Sequence, residues 1–119
     1  MIHLDYRDAR PMYQQILEGF RSQIRSGILL EGERMPSVRE LATQLAINPN
    51  TIQRAYRELE AQGWIVSIGG KGSFVSGTPT QERDRLLEEF DQLTATLLAL
   101  GITPQQLRER MEKGADDHA

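Results

Sequence analysis

Residues Met35–Val75 read MPSVRELATQLAINPNTIQRAYRELEAQGWIVSIGGKGSFV, and this stretch decides the fold. Ser37-Val38-Arg39-Glu40 has the spacing of a capping box, in which a serine oxygen accepts from a free N–H and the glutamate reaches back to the cap. A short helix is therefore expected from Ser37, with Val38, Leu41, Ala42 and Leu45 as its buried stripe. Asn48 caps a second helix with Pro49 in its first turn, and Gly63 can take the left-handed exit conformation after Gln62. At 1.5 Å per residue that helix is roughly 20 Å long. Beyond Trp64, Ile65–Ile68 and Ser73–Val75 read as two short strands around Gly69-Gly70-Lys71-Gly72. Two capped helices, a tight turn and a glycine-tipped hairpin form the pattern of a winged helix-turn-helix, which lays its second helix in the DNA major groove and reaches sideways with the hairpin.

The second helix has two unlike faces. Ile52, Ala55, Tyr56 and Leu59 share one, while Asn50, Gln53, Arg54 and Arg57 share the other. Asparagine and glutamine can make paired bonds to adenine, and an arginine can fork onto guanine or clamp a phosphate. The competing reading is a merely solvated face, and the neighbouring helix and hairpin weigh against it. Arg39, on the first helix of the pair, is placed near the phosphates, unless an intrahelical ion pair occupies it. Lys71 offers one charge at the hairpin tip. It is followed by glycine rather than serine or threonine, and no helix begins there, so a nucleotide-phosphate loop has little support beside a plain hairpin turn.

Outward from this core, Met12, Tyr13, Ile16, Leu17, Phe20 and Ile24 recur every three or four residues and predict a preceding helix between Pro11 and Gly27. Ile28–Pro36 reads as a loop that docks Leu29 and Leu30. After the turn-rich boundary at Gly77-Thr78-Pro79-Thr80, Leu86, Phe90, Leu93, Leu97 and Leu100 follow heptad spacing. Gly101 ends that helix. Thr103, Pro104 and Gln106 start a last one, with Ile102 and Leu107 spaced as a hydrophobic staple. The stripe at Leu86, Phe90, Leu93, Leu97, Leu100 and Leu107 is read as a dimer contact; packing on the chain's own N-terminal domain is the alternative. Gly114–Ala119 is expected to be disordered. The organisation is thus mainly α with a small β-hairpin wing: residues 1–77 as a DNA-binding domain and 78–119 as a two-helix dimerisation region.

Composition bounds the function. In 119 residues with 39% hydrophobic content, a modest core is possible and a large enzyme cleft is not expected. There is no cysteine, hence no thiolate metal site, and His3 and His118 lack companions that would make one. Neither a signal pattern nor a membrane-length apolar run occurs, so a soluble cytoplasmic protein is expected. The net charge of −3 looks unsuited to DNA until it is divided. Residues 1–77 hold nine Lys/Arg against eight Asp/Glu, whereas 78–119 hold five against nine, so the acidity sits in the tail. A local basic face, rather than overall charge, attracts phosphate. No catalytic constellation and no cofactor motif is present.

At these residues the sequence resembles the GntR family of bacterial transcription regulators. The match runs from Pro11, Tyr13, Gln15 and Ile16 through Pro36-Ser37, Arg39, Leu41-Ala42, Asn50-Thr51-Ile52, Ala55-Tyr56 and Leu59 to Gly63-Trp64-Ile65 and Gly70, then Gly72-Ser73-Phe74-Val75. The short two-helix tail and the Asn48-Pro49-Asn50-Thr51 turn look like the YtrA-type branch, whose members lack large effector domains and dimerise through that tail. The resemblance implies DNA contacts at Arg39, Asn48, Asn50, Thr51, Gln53 and the wing at Gly70; Arg54, Arg57 and Lys71 are added from the helix face and the hairpin tip. Where many relatives carry an arginine in the turn before the recognition helix, this chain has Pro49. Repression of an operon by a homodimer on a pseudo-palindromic operator is the implied function. A protein-interaction scaffold that recruits a partner through its apolar tail is the alternative. An unidentified small-molecule effector is a further possible partner, although a tail this small is not expected to enclose a ligand cavity by itself.

Overall fold

Ile52, Ala55, Tyr56 and Leu59 are all buried along one side of a helix, and the N-terminal unit is built around them. In the computed structural model, which describes residues 2–118, that helix is α3, Pro49–Gln62. It follows α1, Met12–Arg25, and α2, Val38–Leu45, and is followed by β1, Ile65–Ile68, β2, Gly72–Val75, α4, Glu82–Ala99, and α5, Pro104–His118. The chain divides into two units, Met1–Thr80 and Gln81–Ala119.

In the first unit, α1 packs across α3 and supplies Ile16, Leu17, Phe20 and Ile24 to a core completed by Leu41, Ala42, Trp64, Ile65 and Val75. Phe20 meets Tyr56 edge to face, with ring centroids 5.8 Å apart at 77°, a geometry in which the positive ring edge faces the negative π-cloud. The Tyr56 hydroxyl donates to the Pro36 carbonyl at 2.6 Å, which anchors the segment entering α2 to α3. Buried Gln15 does the same for the N-terminal arm: its side chain accepts from Asp5 N and donates to the carbonyls of Asp5 and Arg10.

The helix ends follow local chemistry. Ser37 Oγ accepts from Glu40 N at 3.0 Å and Asn48 Oδ1 from Asn50 N at 2.8 Å. Gly63, at φ 90°, closes α3 with bonds from Gly63 N to Glu60 O and from Trp64 N to Leu59 O, the Schellman pattern. The same pattern ends α2, but there the left-handed residue is Ala46, at φ 55°. That short exit leaves only Ile47 and Asn48 before α3.

β1 and β2 pair antiparallel, Ile65 opposite Val75 and Ile68 opposite Gly72. Gly72 is thus a strand residue, and the turn is one residue shorter than the four-residue reading of Gly69-Gly70-Lys71-Gly72 implies. The preceding loop lines the other side of β2: Gly32 N donates to Val75 O, Val75 N to Glu33 O and Met35 N to Ser73 O, each at 2.8 Å. Leu29 packs against the core, whereas Leu30, expected to dock beside it, is 59% exposed. Consecutive residues in a non-helical run point to opposite sides, and Leu30 sits in a turn closed by Glu33 N donating to Leu30 O.

In the second unit, α4 and α5 are joined by a turn in which Thr103 Oγ1 accepts from Gln106 N at 3.1 Å and Gln106 Oε1 accepts from Thr103 N at 2.8 Å, a complete capping box. The expectation of disorder from Gly114 is corrected: α5 continues through Gly114 to His118. One interior glycine costs a helix about 1 kcal/mol and does not by itself stop it. Ala119 lies outside the described residues.

Two stability outcomes follow from these contacts. Ala46→Gly relieves the left-handed Cβ penalty and is expected to raise unfolding free energy by about 0.5–1 kcal/mol in urea melts, after the entropy cost of an added glycine. Burial pushes the Tyr56 phenol far above its ordinary range, and the Glu40 carboxylate pushes the same way. The folded protein therefore holds the phenolic proton more tightly than the unfolded chain, so this stabilisation is complete below about pH 10 and declines as pH rises above it. Tyr56→Phe is expected to cost about 1 kcal/mol at neutral pH through loss of the bond to Pro36 O, and to flatten the alkaline decline in melts compared from pH 7 to 11.

Candidate nucleic-acid interface

With one side of α3 committed to the core, the opposite side is bare. Asn50, Gln53, Arg54 and Arg57 are all exposed and Thr51 is half-buried. At 3.6 residues per turn, Asn50 and Arg57 lie at the centre of the bare face, with Gln53 and Arg54 on its two flanks. Asn48, also exposed, uses its side-chain oxygen on the helix cap and retains its NH2 group as a donor. Residues 49–57 thus present amide and guanidinium donors with no carboxylate until Glu58.

Arg54 is held by a contact outside α3: its guanidinium carbon lies 3.7 Å from the centroid of the Tyr13 ring on α1. Tyr13 is half-buried, and its phenolic oxygen accepts from Gln14 Nε2 at 3.2 Å. Pro11, Met12, Tyr13, Asn50, Thr51 and Arg54 line a shallow open hollow of about 320 Å³ where the N-terminal ends of α1 and α3 meet. The apolar periodicity of α1 marks Tyr13 only as a core residue. Its pairing with Arg54 depends on how two helices cross.

Arg39 is exposed on α2, as its place outside the Val38–Leu45 stripe requires. At the hairpin tip, Lys71 N donates to Ile68 O at 2.9 Å, and Gly70, at φ 73°, turns the chain. Ser67 N donates to Glu60 Oε1 at 2.9 Å, tying β1 to α3. A further cation belongs to this region. Arg34 pairs with Phe74 alongside β2, and its Nε lies 3.2 Å from where a Cβ on Gly72 would sit. Gly72, at φ 109°, therefore serves both a left-handed backbone and the passage of Arg34 across the hairpin. Residues 28–36 read as a loop in the sequence, and Arg34 pairs with a strand forty residues away, so no local pattern marks it.

In the separate C-terminal unit, Leu86, Phe90, Leu93 and Leu100 are exposed and Leu97 and Leu107 half-buried. Leu93, Leu97, Ile102 and Leu107, with Gln106, Glu109, Arg110 and Lys113, line an open groove of about 680 Å³ between α4 and α5. Leu86 and Phe90 lie further toward the N-terminal end of α4 and do not line it. The two helices, not expected to enclose a ligand cavity by themselves, carry an open groove and not an enclosed one. No helix among the described residues is long and apolar enough to cross a membrane.

Residues 12–75 match the family model described as bacterial regulatory proteins, gntR family. The HTH-type transcriptional repressor YtrA of Bacillus subtilis is 43% identical, over 98% of this chain and 94% of its own length. A crystal structure described as a transcriptional antiterminator from Listeria monocytogenes EGD-e superposes with a TM-score of 0.82 at 28% identity, covering 98% of this chain and 91% of that one. The DNA-binding domain of AraR in complex with operator ORR3 superposes at 0.55 with 32% identity, covering 62% of this chain and 89% of that domain. The bare donor face on a capped helix, the hairpin beside it and these likenesses lead to one assignment: the chain belongs to the GntR family of bacterial regulatory proteins, as a DNA-binding transcription regulator.

Proposed function

We propose that the protein is a homodimeric repressor that binds a pseudo-palindromic operator in the cytoplasm and acts by binding rather than catalysis. The observation that carries this reading is the face of α3 on which Asn50, Gln53 and Arg57 are exposed without an intervening carboxylate. Asn50 and Gln53 carry base readout through paired amide bonds, with Arg57 within the same groove. Arg39, Asn48 and Thr51 contact the flanking backbone, and Gly70 and Lys71 bring the wing to it. Repression is supported by the likeness to the repressor YtrA, and operator binding by the likeness to AraR in complex with operator ORR3.

The exposed Leu86, Phe90, Leu93 and Leu100 support self-association of the C-terminal unit, since contiguous apolar surface on a small protein favours burial against a partner. Two copies then read two half-sites about one helical turn of DNA apart. The groove lined by Leu93, Leu97, Ile102 and Leu107 is the place where an effector would bias the dimer, provided it binds the DNA-competent and incompetent arrangements unequally.

Selection of randomised duplexes on the full-length protein, followed by anisotropy titration at several salt concentrations, tests the reading. An enriched palindrome bound at least about a thousandfold more tightly than scrambled duplex is expected; a stable protein partner with no DNA affinity even at low salt would replace regulator by scaffold. Gln53→Ala is expected to cost about 1–3 kcal/mol on the selected operator and to relax one base position per half-site, with little change on scrambled DNA. Leu97 is half-buried between the two helices, so exposed Leu93 is the cleaner place to test assembly. Leu93→Asp is expected to shift sedimentation toward the monomer and to weaken operator binding together; full operator affinity from a proven monomer would refute the coupling.

A further inference from the structure

Arg54 is an exposed cation on the flank of α3, four residues before Glu58, which is the spacing at which a helix ordinarily forms an ion pair. It does not take that partner. Among the described residues no ion pair engages Arg54; its guanidinium instead lies 3.7 Å from the centroid of the Tyr13 ring. A guanidinium stacked on an aromatic face keeps its N–H edge directed outward from the ring, available to an anion, while the ring's quadrupole favours the charge. The ring is packed against the core. Tyr13 is half-buried on α1 and its oxygen accepts from Gln14 Nε2.

We propose that Tyr13 is a positioning residue: by stacking on Arg54 it turns that side chain away from the base-reading centre of α3 and presents it, beside the start of α1, as a clamp on a DNA phosphate. This rests on the DNA-binding reading and refines it. Three observations converge. The stack draws Arg54 toward α1, whereas Asn50 and Arg57 occupy the centre of the bare face. The hollow bounded by Pro11, Met12, Tyr13, Asn50, Thr51 and Arg54 is open, with room for a phosphate group beside the guanidinium. Among the described residues, the escape from Glu58 leaves Arg54 without an ion-pair partner. Arg54 then adds affinity for any duplex, and sequence discrimination is left to Asn50 and Gln53.

The test is a double-mutant cycle on the full-length protein, titrating a selected operator and a scrambled duplex over a range of salt. Arg54→Ala is expected to weaken both duplexes by the same factor and to reduce the slope of log affinity against log salt by about one. Tyr13→Leu, which keeps apolar bulk without a π-face, is expected to weaken both about two- to fivefold. Tyr13→Phe retains the stack and is expected to match the wild type. In the Arg54→Ala background, Tyr13→Leu should cause no further loss. An equal loss in that background would make Tyr13 merely structural, and a loss confined to the operator would make Arg54 a base reader; either overturns the proposal. Should Tyr13→Leu fail to fold, Arg54→Ala alone decides between uniform and operator-specific loss. A wild-type protein with no affinity for either duplex would instead overturn DNA binding itself, and this inference with it.

Discussion

The rest of the N-terminal unit depends on the burial of one side of α3. Ala55, with no exposed surface, sits among Ile52, Tyr56 and Leu59. α1 crosses α3 closely enough for Phe20 to reach the Tyr56 ring. Once that contact is made, the azimuth of α3 is no longer free: the side that carries Asn50, Gln53 and Arg57 must face away from the core. Function here is a residue of packing. The polar face is presented because the apolar face is fully used, and the cap at Asn48 together with the exit at Gly63 sets where that presentation begins and ends.

Much of this was legible from local pattern. The capping residues Ser37 and Asn48, the exit at Gly63 and the apolar stripes of α1, α2 and α3 act through neighbours three or four positions away, so spacing alone exposes them. The readings that failed or fell short needed distant partners or a local backbone choice. Ala46 takes a left-handed angle with no glycine to announce it. Arg34 pairs with Phe74 forty residues on, and Arg54 with Tyr13 forty-one residues back. Leu30 was lost to a turn of the kind that hydropathy ignores. At the other end, Gly114 suggested an end to order, and the α-helix runs through it. For the surface of α3, helical spacing named the donors and their places on the face, while the stacking of Arg54 on Tyr13 required α1 to be in place.

Charge is organised in the same spirit. The N-terminal segment, residues 1–77, is nearly neutral in sum, and many of its acids are engaged at sites away from the donor face of α3. Glu18 pairs with Arg21 and Arg25, Asp8 with Arg10, and Glu60 with a backbone amide. The Arg10 guanidinium holds the Asp8 carboxyl below its ordinary range. In the second unit, Arg85 bonds both Glu82 and Glu89 along α4. A modest sum of charge therefore conceals a surface on which Arg57 and Lys71 are exposed, and the field that an approaching polyanion meets is set by these local groups rather than by the total.

The bond from Ser67 N to Glu60 Oε1 has a consequence for the protein in a crowded solution. β1 is the outer strand of a two-stranded sheet, with Val66 and Ile68 both 44% exposed, and an open edge of that kind is a template on which another extended chain can add. In an antiparallel pair alternate amides point outward, and on this four-residue strand the outward amide of Ser67 is already occupied by a carboxylate from α3. A chain attempting to add there would have to displace an anion and forgo a hydrogen bond in mid-strand. The helix that presents the donor face thus also covers an outward amide of the hairpin's edge strand.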